Sequence, residues 1–338
     1  MSRYSRQVML PGVGEEGQRR LRGSHAAIVG CGALGCAGAE MLARAGVGRL
    51  TIIDRDVVEA SNLQRQVLFD ESDAGAGRAK AEAAVRRLAT VNREVEARAV
   101  VAHLDHRNAM RLLDGAGIIV DGTDNFATRY LLNDVAVREG APYVYAGVVG
   151  TSGMVMGVAR GGACLRCVFE EPPMAGTQPT CETAGVLGPA VAVVAGLQAA
   201  AVIRWIVGGG TEAVLTEVDA WTGRSRRIEA RRRAECVCCG ARRFEFLEGR
   251  GQGESAVLCG RASVQVSAGE GVRVSLEELS RRLGLRVVEG VLARGVLTAE
   301  RGEDGPITLT VFADGRAIVG GVRSVERARA MYDRYVGG

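Results

Sequence analysis

An apolar run, Ala26 to Val29, passes directly into GCGALG at Gly30 to Gly35, and a second apolar run, Leu50 to Ile53, ends in Asp54. Between them, Cys36 to Ala45 reads as a helix. Strand, glycine turn, helix and strand within about 30 residues make a βαβ unit, and its parallel strands require a sheet covered on both faces. Each glycine has its own task. Gly30 permits the tight turn, Gly32 lets backbone approach a phosphate, and Gly35 lets helix and strand pack closely. Asp54 stands where a carboxylate reaches the ribose hydroxyls of a nucleotide lying over the turn. This much suits NAD and ATP equally.

The residues that follow favour ATP. Lys+Arg totals 43, yet Lys80 is the sole lysine, and it lies just downstream of DRD at Asp54 to Asp56 and SNLQRQ at Ser61 to Gln66. A compact ammonium follows a phosphate as its charge moves, whereas a guanidinium fork prefers fixed bidentate geometry, so Lys80 reads as a phosphate ligand. Asn62, Arg65 and Gln66 add donors suited to a triphosphate. DGTDN, Asp121 to Asn125, follows a short buried strand at Gly117 to Val120 and offers Asp124 as a hard oxygen ligand for Mg²⁺. Ala33, Ser61 and Asn125 complete the expected nucleotide-binding set.

At 338 residues the chain accommodates one large domain and a smaller one. Hydrophobic content of 47% with 24% charged residues excludes a disordered chain, and a net charge of +4 is too mild to imply a nucleic-acid binder. No signal peptide is evident, and the nine cysteines include two CxxC pairs, so a cytoplasmic, reducing setting is expected. Gly185 to Val207 raises the question of a membrane span. Gln198, Arg204, Pro189 and the Ala/Gly content favour a buried helix.

The expected fold is α/β: a Rossmann-like, mostly parallel sheet with flanking helices, plus a small C-terminal α+β domain. Gly77 to Leu88 reads as a helix, Val95 to Val101 as a strand, and Ala213 to Glu229 as a hairpin turning at Thr222-Gly223. The Pro- and Gly-bearing stretch FEEPPMAGTQPT, between Cys164 and Cys181, reads as a mobile loop. Residues 1–247 are assigned to the large domain, 248–254 to a linker, and 255–338 to the small domain. Within the latter, Leu258 to Val266 and Gly271 to Val274 read as extended, and Ser275 caps a helix. Ile307 to Phe312 and Arg316 to Val319 flank a hairpin turn, and a last helix begins at Ser324.

Cys164-Leu-Arg-Cys167 and Cys236-Val-Cys-Cys239 together supply four thiolates for a closed, structural tetrahedral Zn²⁺ site. Cys238 is the alternative ligand if the second knuckle slips by one. His103 and His106 lie far from these motifs and read as surface or packing residues. The basic run Arg226 to Arg233 lacks interleaved aromatics and reads as a solvated face or a docking surface for an acidic protein, not a DNA site.

The motifs RYSRQ (Arg3 to Gln7), GCGALGC, DRDVVEASNLQRQ, GRAK, DGTDNFATR, the CxxC pairs and TCETAGVLGP around Cys181 resemble the MoeB, ThiF and HesA family of adenylyltransferases, kin to ubiquitin-activating enzymes. The resemblance covers about residues 1–247. It implies ATP-dependent activation of the Gly-Gly carboxylate of a ubiquitin-like carrier protein, with Asp54 on the ribose, Asn62, Arg65 and Lys80 on the phosphates, and Asp124 on Mg²⁺. It further implies that Arg6 reaches a neighbouring subunit's nucleotide site, making a homodimer. Cys181 matches a crossover-loop cysteine that carries a covalent adduct in some members and is dispensable in others.

Residues Ser255 to Gly338 show no rhodanese-type sulfur-transfer loop. Gly337-Gly338 follows a predicted helix and reads as a helix stop. Three alternatives remain at this level: adenylation of a small or tRNA-linked carboxylate, an NAD-dependent oxidoreductase, and an inactive partner subunit.

Overall fold

The computed structural model describes residues 3–173, 183–210, 213–250, 255–257, 263–267, 272–302 and 305–337. The chain divides into two compact units, Met1–Gly75 with Lys80–Gln252, and Ala76–Ala79 with Gly253–Gly338.

The first unit is built on an eight-stranded sheet ordered β3-β2-β1-β4-β5-β6-β7-β8. Its strands are β1 His25–Val29, β2 Arg49–Asp54, β3 Glu96–Val101, β4 Ile118–Asp121, β5 Tyr143–Val149, β6 Ser152–Val158, β7 Val214–Asp219 and β8 Arg224–Glu229. The first five are parallel and the last three antiparallel. The helices are α1 Ser5–Val8, α2 Gly14–Gly23, α3 Ala33–Ala45, α4 Glu71–Ala76, α5 Lys80–Val91, α6 Ala109–Leu112, α7 Phe126–Glu139, α8 Leu165–Val168 and α9 Gly188–Arg204. The strand order reverses between β1 and β4, and such a reversal opens a crevice at the carboxyl ends of the strands.

Alternation along β1 shows why both faces are covered. Ala26 and Ile28 join a core formed with α3, α5 and α9, whereas Ala27 and Val29 join a second core formed with α6, α7 and the cysteine knuckles. Truncating a fully buried member such as Leu42 or Leu131 to alanine costs about 2–5 kcal/mol.

The helix expected from Gly77 starts three residues later, at Lys80. Helix α9 carries proline in its first turn and ends in a π-helical turn, Trp205–Gly209. Its length and composition would suffice to cross a membrane. It is instead a core helix: Val191, Val194, Ala195, Gln198, Ala199 and Val202 are buried, and the helix packs against α3, β5 and β6. Edge strand β8 is exposed along its length, and its arginines keep that edge solvated, with Arg226 paired to Glu217.

The second unit is an antiparallel sheet ordered β11-β12-β13-β14-β10-β9. These strands are β9 Ser255–Val257, β10 Ser263–Val266, β11 Arg286–Val288, β12 Leu292–Arg301, β13 Pro306–Phe312 and β14 Ala317–Gly320. Helices α10 Leu276–Leu283 and α11 Val325–Tyr335 begin at Ser275 and Ser324, whose hydroxyls accept from Glu278 N and Arg327 N. Residues 272–274, expected to be extended, form no strand.

Candidate active site and zinc-binding module

The glycine turn is packed tightly on one side and open on the other. A Cβ on Gly30 would lie 2.6 Å from Gly122 O, one on Gly122 2.2 Å from Gly30 O, and one on Gly35 1.9 Å from Gly30 O. These three positions exclude any other residue. Gly32 differs: a Cβ there would come no nearer than 3.9 Å to Gly122 O and 4.0 Å to Gln66 Nε2, so its backbone faces free space beside a buried amide. Open backbone at the start of α3, aimed along a helix axis, suits a phosphate chain.

Asp54 closes the ribose side. Its Oδ2 accepts from Cys31 N at 2.6 Å and its Oδ1 from Asp56 N at 2.7 Å, leaving a lone pair on each oxygen. Burial pushes this carboxyl up from the usual range, while the Lys80 ammonium pulls against it. Lys80 is only 6% exposed. Its backbone N donates to Asp56 O at 2.9 Å and its Nζ to Asp56 Oδ2 at 3.3 Å, so the first residue of α5 is tied to the end of β2 twice. Asp56 lay within the DRD motif without an assigned role, and the structure makes it the lysine's carboxylate partner.

Asn62 is buried, and its Oδ1 accepts from Glu59 N at 3.2 Å. Arg65 donates to Ser61 O at 2.9 Å, Ser61 is exposed, and the buried Gln66 Oε1 has no hydrogen-bond partner among the described residues. That orphaned acceptor beside Gly32 marks a polar pocket wall that a ligand donor would satisfy.

Asp124 is exposed just after β4, whereas Asn125 caps α7 by accepting from Thr128 N at 2.9 Å. The turn carrying both is held from below by Asp121. This fully buried carboxylate accepts from Thr123 N (2.9 Å), Thr123 Oγ1 (2.6 Å) and Tyr143 Oη (2.5 Å), and lies 3.9 Å from Arg129 Nε. Burial pushes Asp121 up from the ordinary carboxylate range, with Arg129 opposing. Arg129 in turn donates to Thr123 O, and Gln198 Nε2 donates to Asp121 O and Val144 O. Sequence reasoning missed this support. The available signal was a polar side chain, Gln198, inside an otherwise apolar helix.

In the second module, one sulfur from each of Cys164, Cys167, Cys236 and Cys239 lies within 4.8 Å of the others. Four sulfurs at such spacing, with no hard ligand in the cluster among the described residues, fit a tetrahedral zinc ion. Cys238 stays outside the set, bound by Asn133 Nδ2 at 3.2 Å, which resolves the register of the second knuckle. The Cys238 hydrogen bond and burial push the Cys164 thiol up, and burial does the same to Cys239. A divalent cation removes that cost by taking both as thiolates.

The model of the ThiF family matches residues 4–238. This chain belongs to the ThiF family. A relative in Bacillus subtilis (strain 168), the sulfur carrier protein ThiS adenylyltransferase, is 40% identical over 338 residues, covering 99% of each chain. The SAMP-activating enzyme E1 of Haloferax volcanii is 38% identical over 250 residues, covering 73% of this chain and 92% of its own. Among solved structures, E. coli MccB with ATP superposes with a TM-score of 0.62 at 25% identity, covering 71% of this chain and 75% of that one. The chain is thus an adenylyltransferase with the fold of ubiquitin-activating enzymes, and ATP is the nucleotide of its chemistry.

One predicted site residue of the ThiF-family chain is not brought to the crevice, and another is not described. Arg6, on the short helix α1, is exposed and its Nη1 lies against Met9 Sδ at 3.9 Å. Cys181 lies outside the described residues. Glu171, two residues before the last described residue on the N-terminal side of Cys181, accepts from Arg166 and Arg250. Arg166 is itself fully buried and also binds Glu245.

Proposed function

We propose that this ThiF-family chain adenylates the C-terminal Gly-Gly carboxylate of a small ubiquitin-like sulfur carrier of the ThiS class. What supports the reading above all is a match to a ThiS adenylyltransferase that runs the length of both chains, the second unit included. ATP lies over the open backbone at Gly32, with Gly30, Ala33 and Gly35 shaping the turn and Asp54 on the ribose. Asn62, Arg65, Gln66 and Lys80 meet the phosphates, and Ser61 and Asn125 border the pocket. Asp124 would hold Mg²⁺, which neutralises phosphate charge when bound.

The carrier's carboxylate is ionised at neutral pH, so no general base is required. It attacks the α-phosphorus, the bond to the bridging oxygen breaks, and pyrophosphate leaves with the electron pair. Alignment and cationic charge around the developing oxyanions do the catalytic work. Lys80 is placed to follow that charge because its flexible stem leaves Asp56 without leaving the crevice.

The exposed position of Arg6 fits a role in a second copy's site. The outward face of α9, with Val193 and Leu197 exposed, fits an apolar seam of such a homodimer. Cys181 serves as the acceptor for a covalent sulfur or acyl intermediate. Zinc held by Cys164, Cys167, Cys236 and Cys239 fastens the tail of the catalytic unit to its body. A reducing, cytoplasmic setting suits cysteines used for metal binding in place of disulfides.

ATP–pyrophosphate exchange with and without a purified carrier ending in Gly-Gly tests the substrate. Exchange should require the carrier and vanish when its last glycine is removed. Carrier-independent exchange stimulated by a small carboxylate would refute this assignment.

A further inference from the structure

The nucleotide turn contains a second pair of thiols that the adenylation chemistry does not use. Cys31 follows Gly30, and Cys36 lies one turn into α3. Both are fully buried, and their sulfurs are 3.7 Å apart. Cys36 Sγ also contacts Cys31 O at 3.2 Å. The bland reading is a pair of small apolar side chains filling the core. Two observations argue for more. A disulfide is about 2.05 Å long, so these sulfurs need to close by only about 1.7 Å. Moreover, the backbone N of Cys31 is the donor that holds Asp54 Oδ2, so any movement of Cys31 is transmitted to the ribose carboxylate.

We propose that Cys31 and Cys36 form a reversible disulfide that switches off nucleotide use by this chain. Hydrogen peroxide, or an oxidant of that class, converts one thiol to a sulfenic acid and releases water. The second thiol's sulfur attacks that sulfur, the S–O bond breaks and water leaves, so two thiols and one peroxide give one disulfide and two waters. The flanking glycines direct the strain. Gly30 and Gly35 lie close against neighbouring backbone, whereas Gly32 faces open space, so the path of least resistance for the displacement runs through Cys31 and Gly32. Those are the residues that meet the ribose carboxylate and the phosphates.

The experiment uses the zinc-loaded, full-length protein treated with hydrogen peroxide and quenched with catalase. Trypsin leaves both cysteines on one peptide, Gly23 to Arg44, because no Lys or Arg lies between Arg22 and Arg44. That peptide should lose two hydrogen atoms and resist alkylation. ATP–pyrophosphate exchange should fall about a hundredfold, the cost of misplacing a reacting group by about 1 Å. A thiol reductant should restore both. Cys36→Ser should keep its untreated exchange and show no reversible loss.

Zinc release, followed with a chromogenic chelator, separates oxidation of the four-cysteine site. The proposal is overturned if the peptide stays alkylatable while exchange is lost, if exchange survives formation of the disulfide, if Cys36→Ser loses exchange as the parent does, or if the loss tracks zinc release.

Discussion

Replacing Lys80 by methionine keeps most of its volume and removes its charge. In the structure Nζ lies 3.3 Å from Asp56 Oδ2 in a slot that leaves the lysine 6% exposed. At an effective dielectric near 20, unit charges at that separation interact by about 5 kcal/mol before desolvation is counted. A phosphate oxygen must compete with Asp56 for the ammonium, so only the surplus that develops in the transition state accelerates the reaction. For a single strong donor that surplus is about 2.7–4 kcal/mol, or a loss of about 10²–10³ in turnover when it is removed. Lys80→Ala should lose as much as Lys80→Met. Lys80→Arg should recover little, because a planar fork does not fit a slot shaped for an ammonium. The assay is ATP–pyrophosphate exchange at saturating Mg·ATP. Removal of the cation should also destabilise the fold, since two carboxylates then face each other unscreened. Asp54 already has its native pKa above the unfolded value, and the variants raise it further, so stability is lost as pH rises through the native pKa and retained on the acid side. Melting temperatures should therefore fall further below the parent's on the alkaline side of the Asp54 titration than on its acid side. Unchanged exchange in Lys80→Ala would refute the assignment of Lys80 to the phosphates, whatever its melting behaviour.

Three further outcomes are expected. Cys236→Ser should lose bound zinc, measured by atomic absorption, whereas Cys238→Ser should retain it, since Cys238 lies outside the sulfur cluster; equal zinc content in the two would contradict the ligand set. Asp134, pushed by burial to about 6, accepts from Phe246 N and Leu247 N, and its native pKa stands above the unfolded value. Stability should consequently fall as pH rises from about 4 to 6, by at most about 3 kcal/mol, and Asp134→Asn should abolish that slope in denaturant titrations. Mixing Arg6→Ala with Lys80→Ala chains, each inactive alone, should restore exchange if Arg6 serves a partner's site, and no recovery after subunit exchange would count against a trans arginine.

The nucleotide side of the fold was legible because its constraints are local. A strand running into glycines and Asp54 at the next strand end each impose a backbone conformation within a few residues, and in the second unit the hydroxyl caps at Ser275 and Ser324 do the same. The antiparallel half of the sheet was not legible beyond its last hairpin. Strands β5 and β6 are apolar runs carrying no mark of direction, and they reverse at Gly150, whose φ is +61°. Helix α7 misleads in another way. Arg129, Asn133 and Asp134 resemble a solvated face, but burial covers both sides of the helix from Thr128 to Ala136. Their partners, Asp121, Cys238 and the backbone of residues 246–247, come from distant parts of the chain. Charged groups buried by long-range pairing leave no periodicity to read. Gln198 shows the converse, a polar residue that argued against a lipid setting and proves to pin the last parallel strands together.

The solitary lysine also bears on self-inflicted damage. An enzyme that makes acyl-adenylates of carrier proteins produces an electrophile eager for primary amines, and any molecule that escapes the crevice reacts with ε-amino groups on nearby surfaces. Here the one side-chain amine is sunk beside a carboxylate, and the abundant surface cations are guanidinium groups that stay protonated and do not form amides. A chain of this design can handle its own reactive product over many turnovers without becoming decorated by it.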